Sequence, residues 1–220
     1  MWLPRSTDPA HPAARPVLAP ALLLCAVLAG CAGHPDQPQP ADAADASVAG
    51  AAAAVPPEAQ QLFDQATAVL ARGDLLEAEF RLEEFVLLYP DFPGAHVNLA
   101  IIHARNGDDA AAEDSITDAL IIDPGYAPAL NQLGMLLRRQ GKFADAEAAY
   151  LRALAVAPDY ALAHYNVGVL YELYLRRLQP ALTHFKRYQE LGGGDERVDK
   201  WIVDLERRLE AEQRSANVTE

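Results

Sequence analysis

Cysteine occurs only twice in this chain, serine is rare, and 18 basic residues face 31 acidic ones. So few cysteines exclude a disulfide-stapled scaffold, so stability must come from packing. The net charge of −13 excludes binding of nucleic acid through a general positive field, and anionic lipid repels such a surface. Past residue 30, serine stands only at Ser47, Ser115 and Ser215, none inside a nucleophile motif. The Gly192-Gly193-Gly194-Asp195 stretch lacks the strand before it and the lysine-serine pair after it that a phosphate loop needs. It reads as a helix stop followed by a cap. Acidic pairs such as Glu83-Glu84, Asp108-Asp109 and Glu113-Asp114 fall on outer faces and turns without convergent partners. Catalysis, a metal site and a cofactor are therefore not expected.

No apolar run is long enough for a comfortable membrane-spanning helix. The longest runs from Val17 to Gly30, after Arg5 and Arg15, and ends Leu28-Ala29-Gly30-Cys31. A basic start, a short hydrophobic stretch and small residues before the cut describe a secretory leader over 1–30. After Cys31, residues 31–57 are rich in Ala, Pro, Asp and Gln. That composition cannot build a core and reads as a disordered tether.

What fills the rest is a period. Pro90, Pro124 and Pro158 stand 34 residues apart, as do Gly73, Gly107 and Gly141, and Ala78, Ala112 and Ala146. Self-similarity at that interval marks a solenoid rather than a single globular core. The units span 59–92, 93–126, 127–160 and 161–194, within a repeat region of 58–194. The third is clearest. Leu130, Leu133, Gly134 and Leu137, then Ala146, Tyr150, Ala153 and Leu154, follow three- and four-residue spacing and predict two amphipathic helices. Gly141 ends the first helix and Pro158 stops the second. Gly134 and Ala146, one on each helix, allow close approach, with Tyr150 filling the space around them. Beyond the units, Val198, Trp201, Ile202, Leu205 and Leu209 form the apolar stripe of a capping helix over 195–213, followed by a disordered tail over 214–220.

The unit resembles the tetratricopeptide repeat through Leu133-Gly134, Leu137, Ala146, Tyr150, Ala153 and Pro158. The second unit matches at Leu99-Ala100, His103, Gly107, Ala112, Ile116, Ala119 and Pro124. The first matches at Ala66, Val69, Gly73, Ala78, Leu82, Phe85 and Pro90, with Gln65 where leucine is usual. The fourth has Val167-Gly168, Tyr171, Ala181, Phe185 and Tyr188, with one extra residue in its turn and no closing proline. The resemblance implies an all-α, right-handed superhelical solenoid whose first helices line a concave groove for a protein or peptide partner. That lining would comprise Phe63 and Thr67 from unit one, with Val97, Asn98, Ile101 and Arg105 from unit two. Unit three would give Asn131, Met135, Arg138 and Arg139, and unit four Tyr165, Asn166, Val169 and Glu172. Amides suit a peptide backbone, and arginines suit a carboxylate. The lysine and asparagine of the carboxylate-clamping version are replaced by Phe63 and Thr67 in unit one, so that mode is not expected. Phe92, Tyr126 and Tyr160 recur just after the turn and read as staples between repeats.

The quartet Leu28-Ala29-Gly30-Cys31 resembles the bacterial lipobox, which implies lipidation at Cys31. Ala32 in the next position implies sorting to the outer membrane, facing the periplasm. Lipidated tetratricopeptide proteins of pilus-secretin systems, and repeat proteins of TonB- and gliding-type systems, are similar in plan. The implied role is a scaffold for an envelope complex. An adaptor for peptidoglycan enzymes stays open, as does a small-ligand or metal binder using His96, His103 and His164. Against the last, His96 and His103 share one helix face seven residues apart, with no Cys, Asp or Glu nearby to complete a ligand set.

Overall fold

The computed structural model describes residues 55–218. The expected leader, Cys31 and nearly all of the tether fall outside those residues. Among the described residues the chain is all-helical, with nine helices in paired arrangement and no strand, which bears out the expected fold class. The first pair is α1 (Pro57–Ala71) and α2 (Leu75–Leu88), and the second is α3 (Pro93–Asn106) and α4 (Asp109–Ile122). The third is α5 (Ala127–Arg139) and α6 (Phe143–Val156). Next, α7 (Ala161–Val169) runs into a π-helical turn, Leu170–Tyr174, and pairs with α8 (Leu178–Glu190). The last helix is α9 (Glu196–Val218).

Local chemistry sets these boundaries. Prolines occupy the first turns of α1, α3 and α5, where a missing N–H costs nothing. Asp74 and Asp108 cap α2 and α4 by accepting from the Glu77 and Ala111 amides at 3.3 and 3.0 Å. Gly107 leaves α3 at φ 81°, a left-handed conformation that a side chain resists. Two departures from sequence expectation have simple causes. Helix α1 opens at Pro57, inside the stretch expected to be tether, because the Pro56-Pro57 pair is a ready helix start. Helix α9 continues to Val218, past the expected end at 213. There Arg214 pairs with Glu210 one turn back at 3.9 Å, an exposed contact that supports the helix weakly.

Each pair closes on a small residue. A Cβ placed on Gly134 would lie 2.5 Å from the Tyr150 ring, and one on Gly168 would lie 2.6 Å from Phe185. Only hydrogen fits at those crossings. In the fourth pair the extra residue was expected in the turn; the structure instead absorbs it by widening the end of the first helix. The Leu175 amide donates to the Leu170 carbonyl at 3.0 Å, the five-residue reach of a π turn. Arg176 then takes φ 53° to bring the chain back into α8.

Successive first helices touch, α1 with α3, α3 with α5, and α5 with α7, whereas successive second helices make no comparable contact. Helices closer on one side than on the other curve the array, with the first helices inside. Rings bridge the pairs: Phe92 lies 4.8 Å from Phe63 and 5.2 Å from Phe85. Helix α9 packs on α8, burying Val198, Ile202 and Leu205 and bringing Trp201 to 5.6 Å from Phe185.

Candidate functional site

The face of the first helices has a buried floor and a charged edge. The floor is apolar at Phe63, Val97, Ile101, Tyr165 and Val169, and polar at Asn98, Asn131 and Asn166, all buried. These side chains lie within the helix packing instead of standing free in a groove. The edge is formed by Arg105 and Arg139, both exposed, with Met135, Arg138 and Glu172 half-buried. The sequence list therefore divides into floor and edge, a distinction that the repeat pattern does not carry.

Three amides in the floor come from three consecutive first helices. The Asn166 Nδ2 donates to Asn131 Oδ1 at 3.0 Å, joining α7 to α5 inside the packing. Asn131 Nδ2 has a weak acceptor in the Met135 sulfur at 3.8 Å. Two buried atoms, Asn98 Nδ2 and Asn166 Oδ1, have no hydrogen-bond partner among the described residues. Such atoms carry a desolvation cost of about 1–3 kcal/mol unless another molecule supplies the partner.

The edge charges are partly committed. Arg139 donates to the Ala104 carbonyl at 2.9 Å and to the Asp109 carboxylate, tying the third pair to the second. Arg138 stands over the Tyr174 ring at 5.8 Å, a contact that holds the guanidinium without neutralising it. Glu172 accepts from Arg208 of α9 at 3.1 Å. Burial pushes the Glu172 carboxyl up, with Arg208 pulling the other way.

The histidines make contacts that the sequence alone does not show. Carboxylates do approach them: Asp118 lies 3.8 Å from His96, and Glu79 lies 3.4 Å from His103. Each is a pair only, and no group of three metal-ligating side chains occurs among the described residues. His96 and His164, at the same place two units apart, each donate from Nε2 to the carbonyl of the preceding turn proline. The distances are 3.2 Å to Pro90 and 2.9 Å to Pro158. That donation leaves the His164 Nδ1 as an acceptor, and it meets His184 Nδ1 at 2.9 Å. Burial, and then the nearby His164, lower His184 to about 4.

His184 escaped the sequence reading because its partner lies on the other helix of the pair. So did the tie of Tyr171, which donates to Glu147 at 2.8 Å while Arg177 donates to the same oxygen at 2.7 Å. Burial, then the bond to Glu147, raise Tyr171 to about 12. No repeat-level signal announces these contacts, since the places of His184 and Tyr171 hold other residue types in the earlier units.

The tetratricopeptide repeat family matches residues 63–127 and 131–196. No curated protein matches the chain. Among solved structures, the chain is similar to PilF of Pseudomonas aeruginosa, with 21% identity and a TM-score of 0.62, covering 70% of this chain and 69% of that one. It is similar to a tetratricopeptide repeat protein of Thermus thermophilus, with 24% identity and a TM-score of 0.59 over 68% of this chain and 82% of that one. An O-GlcNAc transferase of Thermobaculum terrenum shares 27% identity at a TM-score of 0.54. That likeness covers 59% of this chain but only 26% of the transferase.

Proposed function

This chain belongs to the tetratricopeptide repeat family, a scaffold for protein–protein interaction; on that premise we propose that it is a lipid-anchored scaffold which takes a segment of an envelope protein along its first helices. The anchor is Cys31, at the end of the leader-like run, and the protein faces the periplasm from the outer membrane. At roughly 3.1 Å per residue, the segment after Cys31 reaches about 80 Å if extended, clear of the bilayer. The complex it serves is of the pilus-secretin or a related energised envelope type. Fold similarity to PilF agrees with this reading, but at 21% identity it bears on the fold alone.

One observation carries the binding mode: Arg138, at the edge of the first-helix face, stands over the Tyr174 ring at 5.8 Å, which holds its guanidinium without neutralising it. A carboxylate on an extended peptide pairs with such a charge. The test is in-cell crosslinking and affinity capture of the native protein beside an Arg138→Glu variant. Arg138 lies at the edge of the face, only half-buried, so folding should tolerate the change while binding should not. Loss of one captured envelope complex from the still-folded variant supports the groove. Identical captures would sink it. In the same cells, Cys31→Ser should abolish acyl labelling and move the protein from the membrane fraction to the soluble one; retained labelling rejects the anchor.

A further inference from the structure

Helix α2 is apolar on two opposite sides, and only one of them is used by the repeat array. Ala78, Leu82 and Phe85 face inward and are buried. Leu76, Phe80 and Leu87 follow one another at helical spacing along the far side, exposed at 80%, 55% and 82%. Leu88, also exposed, turns from this stripe into a cleft of about 310 Å³ lined by Leu62, Gln65, Arg81, Glu84, Phe85 and Leu87. The array does not demand these residues. One unit on, the places of Leu76 and Phe80 hold Ala110 and Asp114, and two units on they hold Ala144 and Ala148. The place of Leu87 holds Ile121 and then Ala155. Large apolar side chains at all three places belong to the first unit.

Charge narrows the choice of occupant. Arg81 is held by Glu77 at 2.6 Å, which offsets its charge. Glu83 lies between Phe80 and Leu87 on the exposed side, and Glu84 lies beside them on the cleft. A second copy would bring the same carboxylates against their own images, and an anionic lipid surface would be repelled. The complementary surface has apolar anchors flanked by positive charge. The stripe from Leu76 to Leu87 rises about 17 Å, at about 1.5 Å per residue, so it matches three turns of a partner helix.

We propose that the outward face of α2, with the Leu62–Leu88 cleft beside it, docks a basic amphipathic helix of a partner protein. The α2 stripe faces away from the first helices, the cleft beside it is lined in part by Leu62 and Gln65 of α1, and the site does not depend on the groove reading. A complex could thus be held on two faces at once, a segment inside and a helix outside, and each contact raises the effective concentration of the other.

The probe is a labelled 18-residue helical peptide with leucines at i, i+4, i+7 and i+11 and lysines elsewhere. Its control has glutamates in place of the lysines. Both are titrated against the full-length chain by fluorescence anisotropy. We expect the lysine peptide to bind and the glutamate peptide not to. Leu76→Ser or Leu87→Ser should each weaken binding at least fivefold without moving the thermal midpoint, since both side chains are solvent-exposed. Glu83→Lys with Glu84→Lys should weaken it at least tenfold. A charge change of the same size in the second unit, Glu113→Lys with Asp114→Lys, should leave it within twofold. Equal losses from the two charge reversals reduce the interaction to general acidity and overturn the proposal. Absent binding, or equal binding of the glutamate peptide, overturns it as well. So does concentration-dependent self-association of the free protein that Leu87→Ser abolishes, which assigns the face to a second copy.

Discussion

The first and third helix pairs are built to one plan, yet one place in that plan has opposite fates. Leu130, in the third pair, is 1% exposed, whereas Leu62, at the same place in the first pair, is 36% exposed. The difference is not in the side chain. The third pair has a neighbour on each side, and its leucine is closed over by the second pair. Nothing among the described residues covers Leu62 in that way. In a solenoid the burial of a residue is set by its neighbours as much as by its own helix.

The sharpest way to test this is to truncate both leucines. Leu130→Ala should cost about 3 kcal/mol, in the usual range for a fully buried leucine. Leu62→Ala should cost less than half as much, read from urea unfolding of each variant beside the native chain. Equal costs would mean that Leu62 is covered in solution by something beyond residues 55–218. A middle-sized effect is expected at the crossing. Gly134→Ala forces a methyl into the Tyr150 ring and should destabilise by about 1–3 kcal/mol. At the matching place in the first pair, Ala66 already carries that methyl, so Ala66→Gly should cost only about 1 kcal/mol of helix propensity. Differential scanning calorimetry of the two variants gives the comparison directly.

The smallest effect extends the comparison to the fourth pair, through acid. His184 titrates near 4 in the folded chain and near 6.5 when unfolded. Between those values the unfolded chain binds the extra proton, so stability is full above about pH 6.5 and falls as pH drops towards 4. The ring keeps some contact with solvent, so the loss should be about 1 kcal/mol rather than the full shift. His184→Gln should flatten that part of the pH–stability curve. An unchanged slope would place the acid sensitivity elsewhere.

Much of this architecture can be read without coordinates. Gly134 and Tyr150 stand at fixed places in the unit, and the structure puts them in contact because helix pairing follows from that spacing. Gly107 and Pro93 mark a stop and a start by their own backbone chemistry. The candidate face was only half legible. Asn98, Asn131 and Asn166 lie where periodicity put them on the first helices, but periodicity could not say that they form a buried floor. Arg139 was expected in the groove lining, and in the structure it ties one pair to the next. The stripe on α2 was also present in the chain, visible as Leu76, Phe80 and Leu87, where the next two units hold Ala, Asp or Ile and never three large apolar residues together. It becomes informative only once the buried side of α2 is known.

The sequence by itself determined the class of fold, because a 34-residue period with glycine, alanine and proline at set places admits paired helices stacked in line. It also determined the acidity of the surface and the scarcity of cysteine. Tertiary structure decided what depends on residues far apart in the chain: the His164–His184 contact, the Glu147–Tyr171–Arg177 network, the π turn that absorbs the extra residue, and which amides lack a partner. Local pattern fixes the helices through interactions that repeat every turn. The contacts between helices depend on packing geometry, and a single inserted residue in the fourth unit was enough to change it.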